Sequence, residues 1–460
     1  MHPVTTDQDL RTFCYQGFEL DRAGTRLSCH YAEGDRRFVE HFELDVPPAA
    51  RAGAATAEDV VAAARLVHLL AGVSYYKTSA PPFVDVGETS SEEERGFLRH
   101  FYLEGLGEFA YRNGLDLSGL EIRSAPGERA GQRPGRGEAG ETTRSPDRAP
   151  LPLVPFGGGI DSIVTVEEVR RRAPDTALLV VSHGGRRFAA IEEPAAATGL
   201  PVVRVDRHLD PQVLKSRELG FFNGHVPVTG IYSAVATWAA AVAGRNLVVM
   251  SNEWSASAGN IVVSGRAINH QYSKSLDFEE RFRDQLAETV GSVKYFSYLR
   301  ARSELWVAQR FARIPAFHPL FRSCNRAFHV DPDARLTEWC GQCDKCCFID
   351  LVLAPFVPAR RLAAIFGGAE PLDDPGLLER FRTLIAASGS TKPWECVGEP
   401  GECRAAAVLA ADRPDRAGSM SLRQLAAESA RLLDQDPRSY LEPMGVDHVP
   451  DVLQAQDLLV

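Results

Sequence analysis

Residues Leu151–Ser162 read LPLVPFGGGIDS. The apolar run Leu151–Phe156 ends in Gly157, Gly158 and Gly159. Asp161 and Ser162 follow, and then the helix-like pattern Ile163–Arg172. A strand, a glycine turn and a helix in this order build a phosphate site. Glycines let backbone approach an anion, and the first helical N–H groups point at it. The plainer alternative is a tight strand-to-helix turn with no ligand. Beyond the turn, TALLVVS (176–182) and PVVRVD (201–206) read as strands, and Gly230–Ala243 as an apolar helix. NLVVMSNEW (246–254) reads as a fourth strand that ends in polar residues. Continuous apolar runs are expected of parallel strands covered on both faces. The pattern predicts an α/β fold, a doubly wound parallel sheet whose ligand sits at the carboxyl ends of the strands. Three of those ends are polar: Gly157–Ser162, Ser182-His183 and Ser251-Asn252-Glu253.

Upstream, residues 12–45 alternate apolar and polar in the runs FCYQGFEL, RLSCHYAE and FVEHFEL, an expected antiparallel meander. Thr56 and Ser91 stand as caps before two helix patterns, the first ending at Gly72. Ser74-Tyr75-Tyr76-Lys77 lies between them, either as aromatic packing or as a contact to a substrate. Residues 124–150 are rich in Gly, Pro and Arg and nearly free of large apolar side chains, so they read as a disordered linker. The division is an N-terminal α+β domain (1–123), the linker, a domain that carries the glycine turn and the cysteine cluster (151–355) and a helical C-terminal region (356–460).

The chain has 460 residues and a net charge of −10, a poor default for nucleic-acid binding. MHPVTTDQDL lacks the apolar core of a signal peptide, and Arg245 and Asn246 interrupt the most apolar window, Ile231–Met250. A soluble cytoplasmic protein that does not enter membranes is expected; the sequence leaves its oligomeric state open. The nine cysteines cluster, which fits a metal site better than disulfides. Cys340, Cys343 and Cys346 form two overlapping C-x-x-C steps, and Cys324 lies upstream. Four thiolates at such spacing suit tetrahedral Zn²⁺, with an iron–sulfur cluster or redox thiols as alternatives. After the fourth strand, His270 and Lys274 lie four apart, so a helix would place them on one face.

The glycine turn resembles the PP-loop of the ATP pyrophosphatase superfamily, Ser-Gly-Gly-x-Asp-Ser, with Gly157 where Ser is usual. By that resemblance Ser182 contacts adenosine. The cysteine arrangement is similar to the zinc site of 7-cyano-7-deazaguanine synthases. With Tyr75–Lys77, Ser251–Glu253, His270–Ser275 and Trp394–Gly398, the chain resembles the UDP-N-acetylmuramoyl-L-alanyl-L-glutamate epimerases. The resemblance implies that ATP, with Mg²⁺, adenylates the terminal L-Glu of UDP-MurNAc-L-Ala-L-Glu. Inversion at Cα and hydrolysis then give D-Glu, AMP and pyrophosphate. A base that works near neutral pH is required: His270 is assigned to the inversion, Lys274 to the phosphate, and Cys396 stands as the rival base. A deazaguanine-type PP-loop enzyme and a non-catalytic zinc-stapled nucleotide-binding protein are the competing functions.

Overall fold

The computed structural model describes residues 11–53, 56–87, 90–124, 149–263, 265–329, 334–387, 393–395 and 397–454. Cys396 and nearly all of the expected linker lie outside the described residues.

The strands are β1 Thr12–Leu20, β2 Arg26–Glu33, β3 Arg36–Asp45, β4 Phe83–Asp85, β5 Glu121–Arg123 and β6 Pro152–Pro155. They continue with β7 Ala177–His183, β8 Val202–His208, β9 Leu247–Met250, β10 Ile261–Val263, β11 Arg266–Ile268 and β12 Lys294–Ser297. One sheet runs β12-β9-β6-β7-β8-β3-β2-β1-β4-β5, and β10 pairs with β11 apart from it. From β12 to β8 every pairing is parallel. The meander β1–β3 is antiparallel, and β4 and β5 add in parallel beyond it. The protein is therefore mixed α/β, with a large and mostly parallel sheet.

The meander and the four strands after Leu151 all form. They also share the sheet, because β3 pairs antiparallel with β8 from His41↔His208 to Asp45↔Arg204. Pairing hides backbone groups that two edge strands would otherwise expose.

Side chains alternate across a strand, and here both faces are apolar. Leu153, Leu179, Val205 and Val248 pack into one core with helices Ala57–Ala71, Glu92–Gly105 and Val228–Ala243. Val154, Leu178, Val180 and Val249 pack into the other with Ile160–Val169, Glu304–Ala312, Asp344–Leu353 and Pro400–Ala411. Among the described residues no helix is long and apolar enough to cross a membrane.

Thr56 and Ser91 cap their helices by accepting from the backbone N–H of Asp59 and Glu94. Gly72 ends the first helix without the left-handed turn expected of a glycine stop, at φ −53°. Its role is close approach: a Cβ there would lie 2.3 Å from Tyr15 Oη. Tyr75 and Tyr76 are buried against Tyr31 and Tyr102, at ring distances of 5.0 and 4.8 Å, so packing accounts for both.

Candidate active site

A cavity of about 760 Å³ opens at the carboxyl ends of β6, β7 and β9. Gly157, Gly159, Asp161, Ser162, Ser251, Asn252 and Lys274 all line it. Gly158 takes φ +76°, and a Cβ there would sit 2.2 Å from the carbonyl oxygen of Ala190. Only glycine lets the loop pass this close to the helix Ala189–Thr198. Gly159 caps the helix Ile160–Val169 with no side-chain hydrogen bond, which leaves the helix N-terminus to a ligand. Ser162 Oγ donates to Gly159 O at 3.0 Å. Arg186, Lys274 and Lys345 bring three cations to the same cavity. Glycine backbone, a helix N-terminus and cations are together the kind of lining that can accept a polyphosphate.

Ser182 does not line the cavity. Alternation along β7 turns Leu179, Val181 and His183 toward it instead. His183 Nε2 lies 2.8 Å from Tyr232 Oη, and burial, with the nearby charges of Arg207 and Arg186, lowers its pKa to about 4. The imidazole is neutral at pH 7.

Two buried groups hold the polar loops in place. Ser297 Oγ accepts from Asn252 N and donates to Asn252 O, both at 2.6 Å. Arg300 is 2% exposed and pairs with Glu279 at 2.8 Å. Its remaining donors reach Glu253 O at 3.1 Å and Lys274 O at 2.7 Å, tying the two cavity loops together. Glu253 is buried with Glu304, whose carboxyl burial and the charges of Asp161 and Glu253 push well above the usual range.

The ligand atoms of Cys324, Cys340, Cys343 and Cys346 lie within 4.8 Å of one another, so the four expected ligands do converge. Hydrogen bonds from Cys343 and Cys346 push the Cys324 thiol down, and Cys324 in turn pushes Cys343 up to about 11. Four sulfurs this close ionise together only around a cation, and the donor set fits a tetrahedral metal. Ser323, beside Cys324, and Lys345, between Cys343 and Cys346, both line the cavity. The cysteine cluster thus frames one wall of this cavity.

His270 does not line this cavity. Its Nδ1 hydrogen-bonds Glu108 Oε2, and its ring centre is 4.2 Å from that of His225. Glu108 also pairs with Arg112 at 2.6 Å, and Arg112 lies 5.4 Å from the ring of Trp394. Burial pushes the Glu108 carboxyl up, but His270, His225 and Arg112 outweigh it and leave the pKa lowered. Burial, with the His270 charge, lowers His225 to about 4. His270 and Lys274 do not share a helical face. A single 3-10 turn, Tyr272–Lys274, separates them, with Lys274 at the cavity and His270 on Glu108.

Sequence reasoning missed Lys345, Ser323, Arg186, Glu108 and His225. Lys345 and Ser323 carried a signal, since each adjoins a cysteine ligand. Glu108 looked like one more charge on an amphipathic helix.

The family described as the MurL N-terminal domain matches residues 4–298, and the MurL C-terminal domain matches residues 320–440. The chain belongs to the MurL family. A relative from Xanthomonas oryzae pv. oryzae is 39% identical over 79% of this chain and 77% of its own. Another from Salinispora tropica is 37% identical over 85% of this chain and 82% of its own. A third, from a Micromonospora species, is 37% identical over 87% of both chains. Each of these MurL relatives carries the name UDP-N-acetyl-alpha-D-muramoyl-L-alanyl-L-glutamate epimerase. No solved structure matches the chain.

Proposed function

We propose that this protein epimerises the terminal L-Glu of UDP-MurNAc-L-Ala-L-Glu to D-Glu in peptidoglycan precursor synthesis. Activation is by ATP: the α-carboxylate becomes an acyl-adenylate, pyrophosphate leaves, and hydrolysis after inversion releases AMP. The observation that carries the ATP step is the cradle of Gly157–Gly159, the helix N-terminus at Ile160 and three cations around one cavity. That geometry supports assignment of the loop to the PP-loop type.

Activation explains how a carboxylate can lose its α-proton. A free carboxylate would place the carbanion beside an existing negative charge. In the adenylate that charge is gone, and the enolate oxygen takes the developing one. Lys274 at the cavity suits the α-phosphate. His270, oriented by Glu108, suits proton transfer at Cα. Cys396 remains the rival base. Asp161 would help hold the Mg²⁺ that accompanies ATP and offsets its phosphate charge. The four cysteines would hold one structural Zn²⁺, closed to substrate.

Incubation with ATP and UDP-MurNAc-L-Ala-L-Glu, followed by chiral analysis of the glutamate, tests the reading. D-Glu should form with AMP and pyrophosphate, and Asp161→Ala or Ser162→Ala should abolish both nucleotide products. Full activity in both variants would sink the PP-loop assignment. In Lys274→Ala, loss of pyrophosphate release together with α-proton exchange marks a phosphate contact. Exchange of the α-proton by His270→Ala at the wild-type rate would move the base to Cys396.

A further inference from the structure

Lys77 is 8% exposed. Its ammonium donates to Gly224 O at 3.1 Å and to Asn223 Oδ1 at 3.4 Å, both neutral acceptors. Among the described residues no carboxylate pairs with it, and the charge felt most strongly is the buried cation Arg207. A buried ammonium held by neutral carbonyls is an unbalanced charge, which a ligand anion would balance. Burial and the Arg207 charge lower its pKa, as expected of a cation that lacks a counter-ion.

Its position says which anion. The loop Asn223-Gly224-His225 joins Lys77 to the Glu108–His270 pair: Asn113, on the helix that carries Glu108, donates to Asn223 O at 3.1 Å. His225 follows the Gly224 that Lys77 holds, and its ring lies 4.2 Å from that of His270, which bonds Glu108. Thr229, four residues past His225, lines the phosphate cavity. Glu108 is not the missing counter-ion, because Arg112 and His270 hold its two oxygens.

We propose that Lys77 binds the γ-carboxylate of the substrate's terminal glutamate. This rests on the proposed function. The α-carboxylate goes to the cradle with Lys274, and Cα lies at His270. The γ-carboxylate, three bonds from Cα, is the remaining anion of that residue. Lys77 thereby sets the preference for glutamate over uncharged side chains.

The test compares UDP-MurNAc-L-Ala-L-Glu with its L-Gln counterpart, which keeps the shape and loses the charge. Wild-type enzyme should favour the Glu substrate by about 10- to 100-fold in KM, the range for hydrogen bonds to a charged group. Lys77→Met should lose that preference through a raised KM for the Glu substrate, and a circular dichroism spectrum and thermal unfolding like those of wild type show that it folds. Lys77→Arg should keep part of the preference. A wild type that handles both substrates equally overturns the assignment without any variant. So does a Lys77→Met enzyme that keeps the preference. Unchanged KM with lost solvent deuterium exchange at Cα would make Lys77 an acid–base group instead. A weakened preference for the UDP-bearing substrate over the UDP-free muramoyl dipeptide would place Lys77 on the diphosphate. Wild-type inactivity on both peptides would remove the proposed function, and this assignment with it.

Discussion

Gly157 and Gly158 are adjacent and should tolerate substitution very differently. A Cβ on Gly157 meets nothing within 4 Å, whereas one on Gly158 meets backbone 2.2 Å away at a left-handed φ. Gly157→Ser should therefore leave stability within about 0.5 kcal/mol of wild type. Gly158→Ala should lose roughly 2–4 kcal/mol and slow pyrophosphate release by about 100-fold. Thermal unfolding and a pyrophosphate assay separate the two. His68 offers a test by pH. It is 3% exposed and stacks 5.0 Å from Tyr31. Burial lowers its pKa to about 3, against about 6.5 in the unfolded chain. Between those values the unfolded state binds the extra proton, so stability falls as pH falls, by up to roughly 1.4 kcal/mol per unit. Urea unfolding at pH 7, 5 and 4 should show His68→Phe gaining on wild type as pH drops. A constant difference across pH would mean that His68 does not titrate in this way.

β6, β7 and β9 were legible in the sequence because they are buried on both faces and read as apolar runs. β8 alternates buried with half-buried residues and stood out by its valines. β12, KYFS, is four residues long and lies at the sheet edge, too short to stand out. The separation of His270 from Lys274 had a signal that periodicity overlooked. Ser275 accepts from Phe278 N and caps the helix Leu276–Thr289, so the helix begins after Lys274. Convergence of the cysteines was legible from spacing; their adjacency to the cavity was not, because loops far apart in the chain make it. That adjacency gives the cluster a measurable role. Cys343 is the N-cap of the helix Asp344–Leu353, which carries Lys345 to the cavity. Elemental analysis should find one zinc per chain, and Cys343→Ser or a chelator should remove it. Its removal should also raise KM for ATP by about 10-fold, the loss of one charge-assisted contact. Elemental analysis beside ATP kinetics checks both; metal-free protein with wild-type KM would separate the cluster from the cradle.

At the scale of the whole molecule, the antiparallel seam between β3 and β8 joins the meander to the parallel strands. The change of composition over residues 124–150 gives no hint that strands on its two sides share a sheet. The seam is more than a backbone ladder. Arg207 on β8 is 3% exposed, pairs with fully buried Glu40 on β3 and donates to Ser74 Oγ at 3.1 Å. Asp210 Oδ2 accepts from Val39 N at 3.0 Å. Arg245 donates to Ala50 O, Pro152 O and Asp175 O at 2.8, 3.0 and 2.6 Å, binding residues from both sides of that stretch. Residues 11–53 should therefore unfold together with the parallel strands, as one urea transition seen alike by fluorescence and circular dichroism. The Glu40–Arg207 pair is the place to test this. Arg207→Met leaves a buried carboxylate that burial already pushes toward protonation, and should cost about 3–5 kcal/mol. Removing the second charge as well, in Glu40→Gln with Arg207→Met, should return part of that loss, because no unpaired ion then remains inside. Both variants should keep a single transition. Two separate transitions in Arg207→Met would show that the ladder and the Arg245 bonds do not couple the meander to the parallel strands without this pair.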